Sequence, residues 1–165
     1  MVFPLTLASK SPWPEQGKTS IYNISSGSTI MEYGSGLGRF IVKTSRLAGP
    51  YGVVYAADQR TSSLFFSKLI IRRNKLDNVI PLLIKPYRIS LPDKSLDLVF
   101  AFNVFHTINF TDLWLKEMHR LLKLDGTLII ENGRQSMKKA RERIFETGIW
   151  DIVIENRNLL RCTPI

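Results

Sequence analysis

Three alternating glycines with an acid just ahead of them form the clearest chemical signal in the chain: Glu32-Tyr33-Gly34-Ser35-Gly36-Leu37-Gly38. The segment follows a short strand candidate, Thr29-Ile30-Met31-Glu32, and precedes a helical stretch from Phe40 to Leu47. Glycine permits a tight turn and lets a ligand approach the backbone closely. The helix N-terminus behind it favours negative charge. Two cofactor classes use such a loop. A dinucleotide fingerprint, G-x-G-x-x-G, needs glycine at position 39, where this chain has Arg39. The spacing found here suits a ligand with an ammonium group and no pyrophosphate. Glu32 can attract the ammonium, while backbone N–H groups meet a carboxylate.

These residues need elements to place them. Strand signals recur at Gly52–Ala57, Asn78–Ile84, Leu96–Phe102 and Thr127–Ile130. Helices are expected from Thr61 to about Lys75, from Thr111 through Leu122, and from Ser136 to about Glu146. The first of these should bury Leu64, Phe65, Leu69 and Ile70 and be capped by Thr61 or Ser62. Thr111 is the expected cap of the second. Asp125-Gly126 reads as a turn. Trp150–Ile154 and Leu159–Thr163 close the chain as a hairpin. Alternating strands and helices predict parallel βαβ units in a doubly wound sheet, with one antiparallel strand from the hairpin. Ligands bind beyond the carboxyl ends of such strands, so the chemistry is expected after Glu32, Ala57, Ile84 and Phe102. Residues 1–26 read as an irregular leader, which Trp13 and Tyr22 could pin down. Residues 27–165 read as one domain.

The combination of motifs resembles the class I S-adenosylmethionine-dependent methyltransferases, and among them the small enzymes of the ubiquinone-biosynthesis type. The glycine loop matches the family's first motif. Asp58, with Gln59 beside it, lies at the end of the second strand. Leu91-Pro92-Asp93-Lys94-Ser95-Leu96-Asp97-Leu98-Val99 matches the family's loop and fourth strand. Leu115-Lys116-Glu117-Met118-His119-Arg120-Leu121-Leu122-Lys123 with Asp125-Gly126 matches its following helix and turn. The resemblance implies a Rossmann-like seven-stranded α/β sheet and S-adenosylmethionine as cofactor. It also implies cofactor contacts at Glu32, Gly34, Ser35, Gly36 and Gly38, and at Asp58, Gln59, Ala101, Phe102 and Asn103. Asp58 would accept both ribose hydroxyls, a task one carboxylate suits. His106 resembles a histidine of the family and is a candidate general base, its free pKa being near ~6.5. The family's adenine-contacting acid has no counterpart: no Asp or Glu lies between Asp77 and Asp93, and Lys85 or a neighbour stands there. Tyr87 or a backbone carbonyl is the expected substitute. The tetrapeptide typical of amino methylation, Asn/Asp-Pro-Pro-Tyr/Phe, is absent.

Composition bounds the rest. The chain has 165 residues, a net charge of +9 and one cysteine, Cys162. It can form no disulfide within itself and offers no cysteine metal cluster. No apolar run reaches the roughly 20 residues of a membrane span. A cytoplasmic protein is expected. The positive charge favours an anionic or macromolecular methyl acceptor, and Arg134, Lys138, Lys139, Arg141 and Arg143 are the candidate docking set. With little chain between the fifth strand and the basic helix, the cleft should be open, for a large substrate or for closure by a second copy or partner subunit. Two other readings compete. One is an inactive methyltransferase-like module that binds RNA or protein through its basic surface. The other is a nicotinamide oxidoreductase, disfavoured by Arg39.

Overall fold

Apolar strands with few polar interruptions are expected where helices cover both faces of a sheet. The computed structural model describes Tyr22 and residues 24–165. Trp13 and nearly all of the leader lie outside the described residues. Strands β1 (Thr29–Tyr33), β2 (Val53–Asp58), β3 (Val79–Leu83), β4 (Leu96–Ala101), β5 (Leu122–Glu131), β6 (Trp150–Glu155) and β7 (Leu159–Pro164) form one sheet. Its order is β3-β2-β1-β4-β5-β7-β6. Every neighbouring pair is parallel except the two that involve β7. This is the expected seven-stranded α/β sheet with one antiparallel strand near the C-terminus.

Helices α1 (Ile41–Ala48), α2 (Thr61–Asn74), α3 (Thr111–Leu121) and α4 (Met137–Phe145) divide between the two faces. One core holds Ile41 and Ala48 of α1 against Ile30, Val54, Phe100 and Ile129, and it includes the buried Tyr22. The other holds Trp114, Leu115 and Met118 of α3 with Ala140 and Ile144 of α4 against Met31, Val99 and Leu128. Asp97 interrupts an apolar strand for a local reason. Its carboxylate accepts from the Thr29 N–H at 2.7 Å and the Lys123 ammonium at 2.6 Å, tying β4 to the strands beside it. The order of strands reverses between β1 and β4, which opens a crevice at their carboxyl ends.

Three local expectations need correction. Half of the expected apolar stripe of α2 turns outward: Phe65 is 65% exposed and Leu69 53%, while Ile70 packs on the core, Leu64 is half-buried, and Ser63 and Ser67 are buried. The helix sits close to the glycine loop, where Ser67 Oγ lies 3.5 Å from Ser35 Oγ and Ile70 packs on Gly38. Asp125-Gly126 is not a separate turn. It lies within β5, where Leu96 pairs with Leu122 but Leu98 pairs with Thr127, so the extra residues form a bulge. Finally, the expected threonine and serine caps give no capping bond: α2 and α3 start after Arg60 and Phe110 without side-chain caps. The Thr111 hydroxyl instead accepts from Arg143 Nε at 2.8 Å.

Candidate functional site

The crevice at the switch point is a cleft of about 660 Å³. The loop between β1 and α1 forms one wall. Gly34 and Ser35 donate their N–H groups to the Ala57 carbonyl at 2.8 and 3.0 Å, and Gly38 donates to Ser35 at 2.8 Å. Gly36 donates to Asp58 Oδ2 at 2.9 Å. These N–H groups are therefore engaged within the protein and are not spare donors for a ligand carboxylate. The loop's contribution is close approach. Gly36, with φ +53°, has no heavy atom nearer than 3.9 Å to where a Cβ would lie, so its surface is bare.

Two carboxylates mark the opposite ends of this wall. Glu32, at the end of β1, is only 3% exposed, and its Oε2 has no hydrogen-bond partner. Burial first, and the nearby Asp58 second, push its pKa up to about 8. Asp58 ends β2 and is also buried. Burial alone would raise it, but hydrogen bonds from the Arg60 side chain and the Arg60 and Gly36 N–H groups prevail and hold it below the usual carboxylate range. Arg60 reaches it with Nε at 3.2 Å, yet its own side chain is largely exposed. Asp58 is thus ionised and served by a mobile type of partner, a long surface arginine.

Of the sequence-predicted residues, Glu32, Gly34, Ser35, Gly36, Asp58, Gln59, Phe102 and Asn103 line this one cleft. Ser35 contributes its backbone side, since its hydroxyl lies beside Ser67. Three predicted residues are not in the lining. Gly38 packs against the helices: a Cβ there would lie 2.5 Å from Ile70 Cδ1. Ala101 is wholly buried within β4. His106 belongs to a second cleft, beyond the short 3-10 turn Phe105–Thr107. Lys85 and Tyr87 also stand outside the first cleft; Ile84 is the lining residue after β3. Lys85 pairs with Arg88 in an isolated antiparallel backbone bridge, and the Tyr87 ring packs edge-on to Phe110 at 5.7 Å.

Sequence reasoning missed several lining residues, including Arg39, Phe40, Arg60, Val104, Thr107 and Glu131. Arg39 and Arg60 follow the glycine loop and Asp58, and Glu131 ends β5, so position after a strand was the available signal. Phe40 and Phe102 stack edge to face at 5.3 Å, and Tyr22 meets Phe102 in the same way at 6.2 Å. These rings make an apolar back wall. Glu131 is raised by burial, against hydrogen bonding from the Asn103 N–H and the positive fields of His106 and Arg39.

The motifs around residues 91–99 and 115–123 serve another purpose. Glu117 accepts from the Ile89 N–H at 2.6 Å and from Arg120 at 2.7 and 2.9 Å. Arg120 also donates to the Ile89 and Leu91 carbonyls and to Asp93. This clamp fastens the loop before β4 to α3. Arg143 of the basic set is likewise internal. It donates to the Phe105 carbonyl and Gln135 Oε1 at 3.1 and 2.9 Å, and lies 4.5 Å over the Phe105 ring.

A buried acid without a partner, an ionised acid at the next strand end and a bare glycine wall between them define a site built for a ligand. A model of a methyltransferase domain matches residues 24–161. The chain belongs to this methyltransferase domain family. Within it, the chain is 29% identical over 113 residues to a ubiquinone/menaquinone biosynthesis C-methyltransferase, UbiE, of Hahella chejuensis; the match covers 65% of this chain and 43% of that protein. A UbiE of Pseudomonas putida matches at 26% identity, with 48% of its length covered. The chain therefore spans under half the length of these curated relatives. Among solved structures, a SAM-dependent methyltransferase from Aquifex aeolicus superposes with a TM-score of 0.77 at 19% identity, covering 92% of this chain and 94% of that one. At that identity the likeness speaks for the fold alone. Among the described residues, no helix is long and apolar enough to cross a membrane.

Proposed function

We propose that this domain binds S-adenosylmethionine in the first cleft and transfers its methyl group to an acceptor. One observation carries the reading: Glu32 Oε2 is buried without a partner in the cleft wall. An unsatisfied buried carboxylate costs stability unless something meets it, and an ammonium group is the natural complement. Asp58 supports the same ligand, since an ionised carboxylate at a strand end can accept two vicinal hydroxyls. Membership of the methyltransferase domain family supports it further.

When bound, the cofactor supplies a methyl group already activated by the positive charge on sulfur. The residues here do the holding. Glu32 would take the ammonium and Asp58 the ribose hydroxyls, once Arg60 swings aside. Ile84, with the aromatic wall of Phe40 and Phe102, excludes water. Asn103, Val104 and Thr107 stand where β4 ends and line the side open to an acceptor. Holding reactants in line supplies most of the rate effect in such a transfer. The same reading places the protein in the cytoplasm. It also allows a second copy or a partner subunit to close the cleft, since only residues 132–136 separate β5 from α4.

Calorimetric titration with S-adenosylmethionine and S-adenosylhomocysteine tests the proposal. Saturable binding is expected, weakened about 30-fold or more in Asp58→Ala, in line with ~2–3 kcal/mol for a hydrogen bond to a charged group. Absence of binding to the wild-type protein sinks it.

A further inference from the structure

The second cleft, about 470 Å³, opens on the far side of the turn Phe105–Thr107 from the first. Thr107 lines the first cleft and His106 the second. The two are therefore neighbours across a three-residue turn. The lining of the second is basic: His106, Arg134, Lys139 and Arg143, with Gln135 and Asn109. Arg143 is consumed by the scaffold, as described above. Arg134 and Lys139 are exposed, and their side chains have no acidic partner among the described residues. The other cations of α4 behave differently. Lys138 pairs with Glu142 and Arg141 with Glu155.

Local electrostatics make the arrangement unfavourable when empty of anions. Helix α4 begins here, capped by Ser136, and its first turn carries no acid while Lys138 and Lys139 lie within it. Cations beside the positive end of a helix oppose its dipole. The lining residues also hold unsatisfied polar atoms. His106 Nδ1 and Gln135 Nε2 are buried and have no partner. A Cβ on Gly133 would lie 2.2 Å from His106 Nδ1, so backbone covers that nitrogen. With no acceptor there, the ring donor of His106 is best placed on Nε2. That leaves Nε2 as the donor available to the cleft.

We propose that the second cleft seats an oxyanion, a phosphate or a carboxylate, carried by the methyl acceptor, with Arg134, Lys139 and His106 Nε2 as its donors. The link to the acceptor rests on the methyltransferase reading; the anion site itself does not. The acceptor would lie across the Phe105–Thr107 turn, with its anionic group beside α4 and its reacting atom near Asn103 and Thr107. This narrows the +9 charge to two residues with a defined task.

The test uses the intact chain without cofactor. Inorganic phosphate and, separately, acetate are titrated at fixed pH and ionic strength while the two histidine imidazoles are followed by NMR. His119 is the internal reference, since it packs on Trp150 and contacts the Ile165 carbonyl. A saturable shift of His106 alone is expected. Lys139→Gln should weaken it several-fold and Arg134→Gln with Lys139→Gln about tenfold, while Lys138→Gln, the same single charge loss as Lys139→Gln on the same helix turn, should leave it unchanged. The stronger of the two anions identifies the acceptor's group. An unmoved His106 overturns the proposal, even if a ten-nucleotide RNA binds elsewhere on the protein. Equal weakening by Lys138→Gln also overturns it, as general charge attraction. S-adenosylhomocysteine titrated in parallel separates the readings: anion binding without cofactor binding would refute the proposed activity and leave the anion site standing.

Discussion

Two buried glutamates show how differently one side chain can be used. Glu117 is 5% exposed and Glu32 3%. Around Glu117 the protein supplies a backbone N–H and an arginine fork. Burial pushes its pKa up, but the Arg120 and Ile89 bonds outweigh that and hold the carboxyl low. Around Glu32 one oxygen has nothing, and the pKa rises to about 8. Their exposures are nearly equal, but Glu32 lies deeper and lacks partners, so depth and partners together separate the two. A satisfied buried charge fastens structure. An unsatisfied one in a cleft wall is held ready for something from outside.

Removing the fork should break the first half of this comparison most severely. Arg120→Ala leaves Glu117 buried and uncompensated and strips donors from the Ile89 and Leu91 carbonyls. Losing one partner of a buried pair costs about 3–5 kcal/mol, which lowers the thermal midpoint by roughly 10 °C in a chain of this size. Cofactor affinity, measured below the new midpoint, should change little. A midpoint within about 2 °C of wild type would show that the clamp is not what holds the loop.

Glu32→Gln addresses the second half and should act in the opposite sense. In the ligand-free protein, the raised pKa of Glu32 means that its protonated form favours folding. That contribution is fully present below the ordinary value of 4.5 and is lost as pH rises through about 8. The wild-type protein should therefore lose stability between these values, by roughly 3–5 kcal/mol at most, and the glutamine variant should not. Binding an ammonium calls for the ionised carboxylate. Calorimetry in buffers of different ionisation enthalpy should find close to one proton released per cofactor at pH 7, falling toward none above ~pH 9. Glu32→Gln should abolish that release and weaken binding by about 2–3 kcal/mol. A wild-type protein that binds with no proton release at pH 7 would remove Glu32 from the ammonium's seat.

The same contrast explains what the sequence could and could not show. Glu32, Gly36 and Asp58 were legible because each ends a strand or opens a turn, and such places have few structural duties to share. The mostly parallel seven-stranded sheet with one antiparallel strand followed from alternation and the matched motifs. The Glu117–Arg120 spacing was legible as a motif, but its purpose was not, because the partners at Ile89 and Leu91 come from a loop far away in sequence. Arg143 looked like a surface cation and is a scaffold residue. Its helix neighbours give no hint that the Phe105 and Ile108 carbonyls need a donor. The α2 stripe misled at Phe65 and Leu69 for a related reason. Helical periodicity reports an apolar face, but close packing on the glycine loop selected Ser63 and Ser67 for the buried side.

Within the loop itself, two glycines sharpen the division between holding structure and meeting ligand. Both have positive φ, +53° at Gly36 and +73° at Gly38, so an alanine at either carries left-handed strain of about 1 kcal/mol. At Gly38 the new methyl would also press on Ile70 Cδ1 at 2.5 Å and Ile41 Cδ1 at 2.9 Å. Overpacking there should bring the total loss to about 2 kcal/mol or more, with affinity for the cofactor nearly kept. At Gly36 the methyl meets no protein atom within 3.9 Å. Gly36 lines the cleft, so Gly36→Ala should cost only the strain in stability and reduce S-adenosylhomocysteine affinity about tenfold. Denaturant unfolding and calorimetry on the two variants give the four numbers. Equal loss of affinity in both would mean that the loop acts as one body, and that Gly38 shapes the cleft through Gly36 and does not merely pack behind it.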